Sequence, residues 1–127
     1  MRLVSSVLFA AVILAGCDNP LAPASDLITA RGSNQSLQIT NTTNDRVYYF
    51  VAEQGTLALL DWAVCLDPAN ASCTYVGAHA TAEVAYSQIV GHAAPGAKVV
   101  VFNWRLIAKN AGKYEADSVR GLVVPLE

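Results

Sequence analysis

The segment AKVVVFNWRLIA, Ala97–Ala108, carries the strongest strand signature in the chain. β-Branched and aromatic residues crowd it, and such side chains suit a pleated, half-buried surface. Successive strand side chains point to opposite faces. Val100, Phe102, Trp104 and Leu106 therefore line one nearly unbroken apolar face, and Asn103 and Arg105 mark the opposite face as wet. KNAGK, Lys109–Lys113, supplies a hairpin turn, and YEADSVRGLVVPLE returns with Leu122, Val124 and Leu126 facing inward. Pro125 cannot donate to a strand ladder, which suits a strand end or a sheet edge.

The same period of two appears on the N-terminal side. In SLQIT, Leu37 and Ile39 point one way while Gln38 and Thr40 point the other. NTTND, Asn41–Asp45, reads as a turn, because short polar side chains bond their own backbone there. RVYYFVAEQ is apolar on both faces, the pattern of a central strand covered on both sides or partly exposed as a binding face. TLALLDWAVC, Thr56–Cys65, fits a helix through Leu57, Leu60 and Val64, or a strand through Leu60, Trp62 and Val64. The Asp67-Pro68 crossover that follows favours the strand. CTYVG is a short strand. ATAEVAYSQIV is a longer one, with Ala82, Val84 and Tyr86 facing in, and GHAAPG is a turn.

Six or seven strands spaced roughly ten residues apart, with no convincing long helix, predict an all-β fold, a small antiparallel β-sandwich. The architecture resembles the immunoglobulin or fibronectin type III kind at the level of fold alone. The inter-sheet cysteine pair of antibody domains is absent, because Cys65 and Cys73 lie too close in sequence. At 127 residues, 54% apolar and 14% charged, the chain makes one folded domain with a modest core. Its net charge is −2 and its eight basic residues are scattered, which argues against a nucleic-acid partner.

The N-terminus follows a different logic. Arg2 precedes 12 largely apolar residues, Leu3–Leu14. As a helix these reach about 18 Å, against the roughly 30 Å of a bilayer core, so the segment suits an export signal. It closes on Leu14-Ala15-Gly16-Cys17, which resembles the lipobox of bacterial lipoproteins. The resemblance implies cleavage before Cys17, a diacylglycerol on its thiol, and often an acylated new amino group. Two or three chains would anchor the protein stably, at about 0.8 kcal/mol per buried CH₂. The expected organisation is a signal peptide over 1–16, a lipidated flexible tether over 17–36, and a sandwich over 37–127. Leu27 and Ile28, within the tether, could instead form a short edge strand. Asp18 resembles an inner-membrane retention signal of enteric bacteria and leaves inner and outer membrane both open.

An exported chain meets an oxidising space, where the remaining pair, Cys65 and Cys73, closes as a structural disulfide. Seven residues separate them, too many for a redox dithiol. A hydrolase would need His79 or His92 beside a serine such as Ser87 and a carboxylate such as Asp61. No nucleophile elbow supports it, and both histidines read as solvated loop residues. Ligand spacing for a metal is absent, as is a glycine-rich phosphate loop, so no metal and no cofactor are expected. Asn41 and Asn70 head glycosylation-type triplets that read here as turn chemistry.

The aromatics allow two packings. Tyr48 and Phe50 share one face of their strand and Tyr49 takes the other. Either both faces are covered, one by the core and one by a loop, or Tyr48, Phe50, Trp62 and Tyr75 form an exposed patch, rimmed by Asn103 and Arg105, that stacks on a sugar or a protein. The expected function is that of a membrane-anchored cell-envelope lipoprotein with a non-catalytic module. That module would be structural or would contact an envelope protein. The alternatives are a ligand-binding or inhibitor lipoprotein acting through the disulfide loop or the aromatic patch and, third, a small hydrolase.

Overall fold

The computed structural model describes residues 23–127 other than His92. Seven strands follow in chain order: β1 (Ile28–Ser33), β2 (Ser36–Asn41), β3 (Val47–Glu53), β4 (Tyr75–Val76), β5 (Thr81–Ala85), β6 (Lys98–Ala108) and β7 (Tyr114–Pro125). They form two antiparallel sheets, β1-β2-β5 and β4-β3-β6-β7. The protein is a small all-β sandwich.

Alternation builds the space between the sheets. Ile28, Ala30, Leu37 and Ile39 project from one sheet, and Val47, Val51, Val99, Val101 and Val124 from the other. Most are aliphatic and β-branched, compact enough to interdigitate between two pleated surfaces. The β1–β2 connection is a two-residue turn, Asn34-Gln35, with φ of 53° and 65°. That mirror-image geometry matches the natural twist of the strands it joins.

Several expectations need correcting. The apolar face of β6 that borders the second sheet is Val99 and Val101, with Asn103, and not Val100, Phe102, Trp104 and Leu106. Asn103 is fully buried rather than wet. Its carboxamide is satisfied there: Nδ2 donates to the carbonyls of Val101 (3.0 Å) and Arg120 (3.3 Å), and Oδ1 accepts from Ser25 Oγ (3.1 Å). A buried polar group is tolerable once so partnered.

The folded body also begins earlier than residue 37. The Ala30 N–H donates to Pro23 O at 3.1 Å, and β1 pairs with β2 along its whole length, so residues 23–36 belong to the sandwich. Residues 1–22, with the segment expected to be an export signal and Cys17, lie outside the described residues.

Thr56–Cys65 is not a strand. Gln54–Leu59 winds into a 3-10 turn capped by the Glu53 carboxylate, which accepts from Gly55 N–H (2.8 Å) and Thr56 Oγ1 (2.7 Å). The chain from Leu60 to Asp67 is irregular. The strand expected over ATAEVAYSQIV stops at Ala85, where Tyr86–Gln88 turns in a 3-10 loop. Tyr86 is buried there and donates to the Glu127 carbonyl at 3.0 Å. Among the described residues no helix is long and apolar enough to cross a membrane.

Candidate functional site: the aromatic face and the notch beside it

β3 and β6 carry apolar residues on both faces, so the sheet has a second apolar side. Tyr48 and Phe50 of β3 stand beside Trp104 and Phe102 of β6, their register partners. The irregular segment from Leu60 onward crosses this side. Trp62 lies against Phe50 and Phe102 with ring centroids at 4.7 Å in both cases, and 6.3 Å from Trp104. The Cys65–Cys73 disulfide, with Cα atoms 5.8 Å apart, ties the end of the cover. Trp104 Nε1 donates to the Cys65 carbonyl at 3.1 Å, which fixes the cover to the sheet. The alternation read for Leu60, Trp62 and Val64 survives in part, since Trp62 and Val64 both pack on the cluster without a strand to hold them.

The predicted patch is thus brought together but not left open. Tyr48 is buried, Phe50 and Trp62 are half-buried, and only Tyr75 is exposed. Tyr75 stacks at a tilt on Tyr48, 5.7 Å between centroids. Both faces of the sheet pack, one in the core and one under a loop. Asn103 does not rim the patch, because it lies on the core side of β6.

What stays accessible is a notch at the end of the sheet. β3 begins at Val47, whereas β6 and β7 run on to Ala108 and back from Tyr114, so their hairpin projects past the end of β3. The turn that starts β3 is fixed by Asn41, a buried residue whose Nδ2 reaches the carbonyls of Asp45 (2.7 Å), Val76 (2.9 Å) and Gly77 (3.0 Å). The notch measures about 490 Å³ and is lined by Asp45, Arg46, Tyr48, Arg105, Leu106 and Tyr114, among others.

Charge in the notch is unevenly matched. Arg105 meets Asp117 at 3.0 Å and Asp45 at 3.6 Å, and its Nε is buried without a partner. Arg46 lies over the Tyr75 ring, 4.2 Å from its centroid, and has no carboxylate partner among the described residues. Tyr48, and after it Tyr75, hold Arg46 further into its charged form than usual. A guanidinium over an aromatic ring beside apolar walls can seat a carboxylate or phosphate. Sequence reading named Tyr48 and Tyr75 but missed Arg46; its place directly before an apolar strand and after a polar turn was the available signal.

Of the residues weighed for catalysis, His79 has no hydrogen bond to Ser87 or Asp61 among the described residues. His79 has a positive φ of 55°, and its Nε2 lies 2.6 Å from Asn44 Oδ1. His92 lies outside the described residues. Among the described residues no cluster of three or more His, Cys, Asp or Glu is placed to hold a metal ion. No protein-family model matches the chain, and no curated protein or solved structure matches it either.

Proposed function

We propose that the chain is a bacterial cell-envelope lipoprotein in which acyl chains on Cys17 hold a non-catalytic sandwich against a membrane, where the sandwich binds another envelope protein. The observation that carries this reading is the Leu14-Ala15-Gly16-Cys17 run closing an apolar segment too short to span a bilayer. The early start of the fold adds weight. Between Cys17 and Pro23 there remains at most about 20 Å of extended chain, so the body would sit at the membrane rather than float well off it. The sheet order supports the immunoglobulin or fibronectin type III kind of sandwich: β1-β2-β5 matches strands A-B-E, and β4-β3-β6-β7 matches C′-C-F-G.

Metabolic labelling with a tagged fatty acid tests the anchor. The wild-type chain is expected to take up label and Cys17→Ser none; equal labelling of the two would overturn the proposal. A second reading follows from Arg46, the notch cation without a carboxylate: the module holds a small anionic ligand there. Arg46→Ala would then weaken that binding without changing stability, and an Arg46→Ala variant that binds anions like the parent would remove this reading.

A further inference from the structure

The two flanks of the sandwich differ. On one, β1 and β7 are joined: Gly32 bridges Leu126, and Arg120 grips Asp26 through two hydrogen bonds. On the other, β5 ends its sheet and the nearest strand of the opposite sheet, β4, is two residues long. The β2–β5 pairing is bracketed by Asn41 N–H on Ala80 O and Tyr86 N–H on Gln35 O. Because inter-strand bonds alternate along a strand, Ala82 and Val84 turn their backbone toward β2, and Thr81, Glu83 and Ala85 turn theirs outward. That edge has no strand beside it among the described residues.

The core is incompletely sealed along the same edge. Leu37 and Ile39 of β2 are fully buried, yet their partners Val84 and Ala82 on β5 are only half-buried. Beside them runs a slot of about 310 Å³, lined by Tyr49, Phe50, Val84, Ile89 and Val90, with Glu83 on its rim. Glu83 has no cationic partner among the described residues.

We propose that this flank accepts an extended segment of a partner protein, which adds as a strand along β5 and places a Lys or Arg opposite Glu83 with apolar residues on either side of it. This rests on reading the sandwich as a protein-binding module and says where and what it binds. Strand addition satisfies the outward backbone groups of β5. Alternation sends the residues flanking the basic one into the slot. Opposite charges across a strand pair attract, which sets the register. A second copy of this chain fits poorly, because antiparallel pairing of two β5 edges about their midpoint sets Glu83 against Glu83.

The test uses the full chain, isotope-labelled, with the synthetic peptides acetyl-TVKVT-amide and acetyl-TVEVT-amide as probes. The Lys peptide is expected to shift and slow the exchange of the Thr81, Glu83 and Ala85 amides, and the Glu peptide to bind about fivefold more weakly. Glu83→Lys should invert that order. Glu83→Pro removes an outward N–H without touching the ladder to β2. It should abolish binding while leaving the near-ultraviolet spectrum of the buried Trp104 unchanged. Unprotected β5 amides, shifts mapping to the Arg46 notch, or a Glu83→Pro chain that binds like the parent would each overturn the proposal. So would a free protein that is dimeric with these amides already protected. A bare Cys17 thiol, by contrast, would refute the anchor and leave this result standing.

Discussion

On one face of the β4-β3-β6-β7 sheet, Val47, Val51, Val99 and Val101 meet a second sheet; on the other, Tyr48, Phe50, Phe102 and Trp104 meet a loop. The first contact is between two hydrogen-bonded surfaces whose registers are fixed by their own ladders and by the β1–β2 turn. The second has no strand ladder in its cover and rests on the Trp62 ring, the Trp104 indole bond to the Cys65 carbonyl, and one disulfide. Aliphatic residues suffice where a sheet supplies the cover. Large flat rings are used where an irregular chain must, because each ring brings a wide apolar surface and a stacking geometry to a backbone with no ladder of its own.

Breaking the inter-sheet side has the largest expected effect. Ile39→Ala removes a fully buried side chain and should cost about 3–4 kcal/mol in urea unfolding, with loss of the whole fold as one unit. Trp62→Ala strips the cover from Phe50 and Phe102 and should cost about 3 kcal/mol. It should also raise the binding of a hydrophobic dye in the still-folded protein, which Ile39→Ala would do only on unfolding. Replacing Cys65 and Cys73 together by Ala releases a short loop and should cost about 2.5 kcal/mol by chain-entropy reasoning. Dye binding in that variant should resemble Trp62→Ala more than Ile39→Ala.

Smaller effects sharpen the picture at the margins. Ser118 sits at a bulge in β7, where the register shifts between Asn103 and Arg105, and adopts φ of 54°. Gly accepts that conformation without the clash of a Cβ, so Ser118→Gly should gain about 0.5 kcal/mol in the same unfolding assay. Glu53 caps the turn that begins the cover, and its bonds with Gly55 N–H and then the Thr56 hydroxyl lower its pKa from the usual 4.5. A lowered folded-state pKa contributes stability above the ordinary value, and that contribution is lost as pH falls through the folded-state value. In thermal melts run from neutral pH into acid, Glu53→Gln should therefore show a shallower decline than the parent.

Much of the succession of strands along the chain was legible from alternation, because β2, β6 and β7 present it plainly and NTTND and KNAGK punctuate it. Which face points inward was not. With Val99 and Val101 on one side and Val100, Phe102, Trp104 and Leu106 on the other, both sides of β6 are apolar, and the period of two gives positions without direction. Asn103 added to the confusion, since a buried carboxamide looks the same in sequence as a wet one until Ser25 and the Arg120 carbonyl are in place. β1 was obscured because Arg31, Gly32 and Ser33 interrupt its apolar pattern and Pro20 and Pro23 precede it. The aromatic residues of the patch were identifiable, but their burial depends on a loop whose path is set by contacts far apart in the chain. The Arg46 notch and the open edge of β5 depend on strand lengths, which alternation marks least sharply at strand ends.

The intact mass of the N-terminal fragment of the protein isolated from its native cells tests the proposed anchor most directly. A lipid-anchored protein would yield a chain beginning at Cys17 with a diacylglyceryl group on its sulfur. A free thiol at that position, or a first residue other than Cys17, would contradict it.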